Sequence, residues 1–168
     1  VQEFKNANED FVEGEYEAAL EHINHIDPND SNYVSILNTK SLLYFELEDY
    51  DKVIEVCNEG IRKKNPDNSY INKALAFIRK EEYKKAHETA KKGLKEFPYS
   101  SSLYINLGIA LEEMEQYDRA IKAYQKAIIL NPYEGTGHFR LGNMCYRENL
   151  ITQAALCLNT YLFLEPKG

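Results

Sequence analysis

The chain repeats one pattern of apolar and polar positions about every 34 residues. An aromatic or aliphatic residue opens each occurrence, and the separations are 34, 33, 34 and 34 residues. Small or apolar residues follow three, seven and ten positions later. These offsets share one face of a helix, because 3.6 residues make one turn. The pattern therefore predicts five amphipathic helices. Their opening residues are Tyr16, Tyr50, Tyr83, Tyr117 and Ile151.

A second helix is predicted before each of these. In the fourth occurrence its apolar face reads Tyr104, Leu107, Gly108 and Leu111, which is helical spacing. Short polar turns such as Glu48-Asp49 join the two helices, and a proline closes each unit. We predict an all-α chain of five helix-turn-helix hairpins, at residues 1–33, 34–66, 67–100, 101–134 and 135–168. The turns are Glu13–Glu15, Glu48-Asp49, Glu81-Glu82, Glu115-Gln116 and Asn149-Leu150, and the prolines are Pro28, Pro66, Pro98, Pro132 and Pro166.

The fourth hairpin carries an aromatic, Leu-Gly, a second aromatic, Ala, a third aromatic, Ala and Pro in sequence. These residues are Tyr104, Leu107, Gly108, Tyr117, Ala120, Tyr124, Ala127 and Pro132. In these positions, and more loosely over the whole chain, the sequence resembles the tetratricopeptide repeat family. The resemblance implies a right-handed α-solenoid with the first helices lining a concave groove. The first hairpin departs most, since Pro28 comes about one turn early.

The resemblance also implies which residues face the groove. Asparagines one position before the template leucine, such as Asn72 and Asn106, often pair with the backbone of a bound peptide, whose donor and acceptor an amide matches. An apolar strip runs beside them. The alternative is that these residues pack against adjacent first helices and are mostly covered. The predicted peptide-binding groove consists of Asn38, Leu42, Ile71, Asn72, Leu75, Ile105, Asn106, Ile109, Phe139 and Arg140.

The last predicted helix, residues 153–164, is apolar nearly all the way round. A helix of this kind is expected to be covered. Two explanations stay open: the chain is a fragment of a longer protein whose repeats continue, which we favour, or this helix associates with another subunit.

Charge narrows the range of partners. Residues 1–65 hold 15 acids and 6 bases, a net charge of -9, whereas residues 66–168 hold 12 acids and 14 bases, a net charge of +2. No broad basic surface is present, so we expect no nucleic-acid partner. No stretch approaches the roughly 18 apolar residues of a membrane span, so we expect no membrane partner. The compartment is open, with the cytoplasm slightly favoured over an exported form whose signal was removed.

A cluster of lysines between Lys84 and Lys95 interleaves with a buried helix face. It is expected to be a solvated convex surface, with an acidic or phosphate-bearing partner as the alternative.

Candidate chemistry is sparse. The sequence has no phosphate-binding loop and no nucleophile elbow, and Gly135–Gly137 is assigned to an inter-hairpin turn. His22 and His25 lie three residues apart without a third metal ligand. We therefore predict no catalytic residues, no metal and no cofactor.

The predicted function is a non-enzymatic scaffold that binds a peptide segment of a protein partner. The alternatives are a structural array that forms a homodimer or larger complex through its last helix, and an accessory region of an enzyme whose catalytic domain lies elsewhere.

Overall fold

The described part of the chain in this computed structural model, residues 2–30, 32–63 and 66–165, contains ten α-helices and no strand. The predicted all-α hairpin fold is confirmed. Val1 and residues 166–168, including the closing proline Pro166, lie outside the described residues, as do the side chains of Pro66 and Asp67. The helices are α1 Gln2–Glu13, α2 Tyr16–Asn24, α3 Tyr33–Glu46, α4 Tyr50–Arg62, α5 Pro66–Arg79, α6 Tyr83–Glu96, α7 Ser101–Glu113, α8 Tyr117–Leu130, α9 Gly135–Arg147 and α10 Ile151–Leu164.

The helices fall into two compact units, Val1–Lys80 with α1 to α5 and Glu81–Gly168 with α6 to α10. Within each unit every helix packs on its neighbour in the chain. Sequential packing of this kind is the architecture of a helical repeat protein, in which each hairpin covers the apolar face of the next.

Within the fourth hairpin, a glycine on the first helix lies against a bulky side chain on the second. Tyr124 is fully buried, and a Cβ added to Gly108 would lie 2.4 to 2.9 Å from three atoms of its ring. The fifth hairpin has the same arrangement, since a Cβ on Gly142 would lie 2.7 Å from Cγ of Leu158. The small residue of the repeat pattern is therefore required by this packing.

The turn inside each hairpin places one residue in the left-handed region. Only the first of these residues is glycine, Gly14, with φ 84°. After Gly14, Glu48, Glu115 and Asn149, the N–H of the next residue donates to the carbonyl five residues back, as from Gln116 to Leu111 at 2.8 Å. This bond satisfies a carbonyl at the end of the first helix. The other left-handed residues are Glu48, Glu81, Glu115 and Asn149.

Two sequence expectations about boundaries are resolved. Helix α2 has 9 residues, whereas the other second helices have 13 or 14, so the missing turn of the first hairpin is confirmed. The assignment of Gly135–Gly137 to an inter-hairpin turn is wrong, because these residues form the first turn of α9. Close packing explains the second glycine: a Cβ on Gly137 would lie 3.1 Å from side-chain carbons of Ile105 and Ile128.

Pro66 also differs from the sequence expectation. It begins α5 instead of closing the second hairpin. Proline is well suited to the first helical position, because a backbone N–H at that position has no acceptor within the helix, and proline lacks this group.

Substitution of Gly108 by Ala is expected to destabilise the chain by about 1–3 kcal/mol, because the new methyl overlaps the Tyr124 ring. In a Tyr124→Ala background the sign reverses, since Ala is then favoured over Gly in a helix by about 0.8–1 kcal/mol. Urea denaturation of the four chains of this cycle measures both effects. If Gly108→Ala lowered the free energy of unfolding equally in the parent chain and in Tyr124→Ala, the Tyr124 ring would not be the reason for the glycine.

Substitution of Glu115 by Gly is expected to stabilise the chain by about 0.5–1 kcal/mol, because glycine adopts a φ of 58° without steric cost. The matched control is Glu113→Gly, two residues earlier at the end of α7, which loses about 1 kcal/mol of helix propensity. Thermal unfolding of both variants tests the turn geometry, and a lower midpoint for Glu115→Gly would contradict it.

Candidate peptide-binding surface

An open pocket of about 430 Å³ lies in the first unit between the first helices α3 and α5. We call it the α3–α5 pocket. Three predicted groove residues, Leu42, Asn72 and Leu75, line it, and the Leu42 side chain is 39% exposed. The pocket thus offers apolar surface and an amide in one place. The remaining lining residues are Phe45, Glu46, Glu48, Tyr50 and Arg79.

Hydrogen bonds fix the orientation of the Asn72 side chain. Its Nδ2 donates to Oγ of Ser41 at 2.8 Å and to Oδ1 of Asn38 at 3.2 Å. The Ser41 hydroxyl donates its single proton to the backbone carbonyl of Asn38, at 2.7 Å. It can therefore only accept a hydrogen bond from Asn72. The amide nitrogen of Asn72 therefore points to Ser41. Among the residues that the structure describes, no donor is bonded to its Oδ1, which is therefore able to accept a hydrogen bond.

Asn38 itself lines a smaller neighbouring depression of about 190 Å³. Phe4 of α1 contributes to its wall, together with Asn68 and Ser69 at the start of α5. Polar side chains predominate there. Ile71, the remaining predicted groove residue of the first unit, is half-buried and lines neither depression.

In the second unit, three predicted groove residues are buried. Ile105, Asn106 and Ile109 are 6%, 5% and 8% exposed. The expectation that they are exposed to a ligand is wrong, and the alternative that they are covered holds for them. Part of the reason is visible at α9, where the absence of a side chain at Gly137 lets the end of Ile105 lie against the helix.

Phe139 and Arg140 of α9 remain accessible but have partners within the chain. The Phe139 ring centroid is 5.1 Å from that of Tyr161. Arg140 Nη1 lies 3.5 Å from Glu112 Oε2, which also accepts a 2.6 Å hydrogen bond from the Tyr124 hydroxyl. Burial, and then this bond to Glu112, raise the pKa of Tyr124. Arg140 therefore belongs to a network that reaches the core of the fourth hairpin.

Tyr50 and Arg79 are among the lining residues of the α3–α5 pocket that were not predicted to face the groove. Tyr50 was assigned only as the opening residue of α4. Arg79 lies four residues after Leu75 and seven after Asn72, so it shares their face of α5. Helical spacing could have identified Arg79, whereas the contribution of Tyr50 depends on how α4 packs.

The described residues contain no group of three or more side chains suited to hold a metal ion. Burial raises the pKa of the Cys57 thiol to about 12 and also raises the pKa values of Cys145 and Cys157. These thiols are protonated at neutral pH and are poor nucleophiles. In the described part of the chain, none of the helices has the length and apolar character needed to cross a membrane.

The hairpins, their shared turn and the sequential packing define a helical repeat protein. The sequence model of the tetratricopeptide repeat matches residues 101–134, the fourth hairpin. The fourth hairpin is therefore a tetratricopeptide repeat, and repeats of this family form protein-interaction scaffolds that are generally non-catalytic.

Solved structures of MamA proteins have the same fold. A double mutant of MamA from strain RS-1 is 25% identical, with a TM-score of 0.77, over 97% of this chain and 93% of that one. MamA from Desulfovibrio magneticus RS-1 is 23% identical, with a TM-score of 0.77, over 98% and 94%. Another MamA crystal structure is 19% identical, with a TM-score of 0.76, over 96% and 95%. No curated protein sequence matches the chain.

The sequence candidate His22 has a structural role between α1 and α2. Its Nδ1 is 2.6 Å from Glu3 Oε2, and its Nε2 is 3.5 Å from the buried Oδ2 of Asp10. The hydrogen bond to Glu3 is the largest cause of a raised His22 pKa, and the charges of Glu3, Asp10 and Glu21 add to it against the effect of burial.

Because the folded pKa of His22 is raised, its contribution to stability is complete below the ordinary value of 6.5 and is lost as pH rises through the folded pKa. We expect the urea midpoint to fall between pH 6 and pH 9 by more in the parent chain than in His22→Gln. The control His25→Gln should behave as the parent does. An identical pH dependence in all three chains would contradict this role for His22.

Proposed function

We propose that the chain is a non-enzymatic scaffold that holds an extended or helical segment of a partner protein in the α3–α5 pocket. The observation that carries the proposal is the convergence of Leu42, Asn72 and Leu75 on one open pocket. Three residues selected by repeat position alone are brought together there by two adjacent first helices.

Recognition would combine apolar contact with one directed hydrogen bond. Leu42, Phe45 and Leu75 supply apolar surface whose removal from water favours binding. The Asn72 Oδ1 accepts a backbone N–H of the bound segment, in an orientation already set by Ser41. An amide held in place before binding loses little conformational entropy on complex formation.

Charged groups at the rim would set the register of the segment. The pocket lining includes the carboxylates of Glu46 and Glu48 and the guanidinium of Arg79. Carboxylates favour a basic residue of the ligand, whereas the guanidinium can pair with a carboxylate or a backbone carbonyl. Rim charges of this kind influence specificity and association rate more than affinity.

A second candidate function is self-association through α10. Leu156, Leu162 and Phe163 are exposed, Phe163 by 84%, and residues 151–164 contain no charged side chain. Leu162 stands 34 residues after Ile128, whose side chain lies against Gly137 of α9. The face that α9 covers on α8 is therefore open on α10. We propose a homodimer or larger assembly through this face as the alternative function.

Two matched leucine substitutions separate the candidates. Peptides selected from a random library against the chain provide the ligand, and fluorescence anisotropy measures its affinity. Leu42→Ser is expected to weaken binding about tenfold, the cost of removing part of one apolar contact, while leaving self-association unchanged. Leu162→Ser is expected to lower the mass measured by light scattering while leaving peptide affinity unchanged.

Each variant serves as the control for the other, because both replace an exposed leucine on a helix by the same residue. Selected peptides that bind Leu42→Ser and the parent equally well would refute the α3–α5 pocket as their site. A parent chain that is monomeric at the highest concentration tested would refute assembly through α10.

A further inference from the structure

Helix α6 concentrates positive charge in a chain whose net charge is -7. Its 14 residues include five lysines and only two acids, Glu88 and Glu96. Its buried face is made of the small residues Ala86, Thr89, Ala90 and Gly93. The lysines are all exposed: Lys84, Lys85, Lys91, Lys92 and Lys95.

Three of these lysines line one shallow depression of about 220 Å³. Lys91, Lys92 and Lys95 form it with His87 and Glu88, on two adjacent rows of the helix surface. Among the described residues, none of the three lysines forms an ion pair, in contrast to Lys85, which pairs with Glu82. Like charges on neighbouring rows repel each other, so a ligand of opposite charge relieves a cost already present in the free protein.

A cation from a second helix joins this surface. Arg119 of α8 places Nη2 at 3.4 Å from Nε2 of His87. Burial is the main cause of a lowered His87 pKa, and the charges of Lys91 and Arg119 lower it further, opposed by Glu88. The imidazole therefore sits among the cations of α6 and α8. We call His87, Lys91, Lys92, Lys95 and Arg119 the basic face.

We propose that the basic face binds a carboxylate-rich segment of a partner protein, as a second interaction surface in addition to the α3–α5 pocket. Helix α6 is about 21 Å long, which matches a short acidic segment. Nucleic acids and anionic membranes need a broad positive surface, and here the remaining charge of the chain is negative. A short acidic segment can instead place its carboxylates on these cations alone.

The test uses a fluorescent oligoglutamate peptide, with oligoglutamine as the uncharged reference, and measures anisotropy at low and high salt. The variant carries Lys91→Gln, Lys92→Gln and Lys95→Gln together. It is expected to bind oligoglutamate about tenfold more weakly at low salt, since each exposed pair contributes a modest amount. Its affinity for oligoglutamate should also depend much less on salt, because salt screens the attraction between these lysines and the peptide carboxylates.

The matched control removes the same total charge from the other compact unit. It carries Lys5→Gln, Lys52→Gln and Lys63→Gln, all exposed lysines. Its affinity for oligoglutamate is expected to change by no more than about twofold, because these positions contribute only to the overall charge. An equal loss in the control variant, or equal binding of oligoglutamine by the parent chain, would overturn the proposal.

A local readout excludes a general charge effect. Saturating oligoglutamate should raise the His87 pKa measured by NMR, because added carboxylates offset Lys91 and Arg119. An unchanged His87 pKa at saturation would overturn the proposal. Tighter binding of single-stranded oligonucleotides or of anionic vesicles than of oligoglutamate would also overturn it, since it would assign the surface to another class of partner.

Discussion

The ring of Tyr124 lies so close to the backbone of Gly108 that the position has no room for a side chain. This contact sets the distance between the two helices of the fourth hairpin, and Leu158 against Gly142 does the same in the fifth. Close-packed interiors resist changes of even one methylene, so the small-to-large pairing determines how these two hairpins close. The apolar faces of the first helices are then placed beside their neighbours, where some are covered and others form a surface.

The same repeat position links packing to the proposed site. Ser41 in α3 stands where Gly108 stands in α7, and both residues are buried. Its hydroxyl accepts from Asn72 and donates to the Asn38 carbonyl, so a packing position also orients the amide of the α3–α5 pocket. In the fourth hairpin the polar network runs differently, from Tyr124 through Glu112 to Arg140. Equivalent positions of a repeat thus support either a buried core or an accessible pocket.

The sequence predicted the helices and turns well because their signals are local and repeated. The shortened α2 could be foreseen from Pro28, and the left-handed turn residues lie at the predicted hairpin turns. Exposure was predicted less well. Leu42 and Leu75 line a pocket, whereas Ile109, at the equivalent repeat position, is buried. Ile105 is also buried, although its equivalent in α5, Ile71, is only half-buried. The difference depends on neighbouring side chains, such as the absence of one at Gly137, and a repeat template does not contain that information.

The proposed function requires that the first helices of the first unit, and not the last helix, receive the partner. Hydrogen–deuterium exchange of the chain, with and without a saturating peptide selected against it, tests this most directly. Slowed exchange is expected to be concentrated in α3 and α5, around Leu42 and Asn72, with exchange in α10 unchanged. Protection confined to α10, with α3 and α5 exchanging as in the free chain, would contradict it.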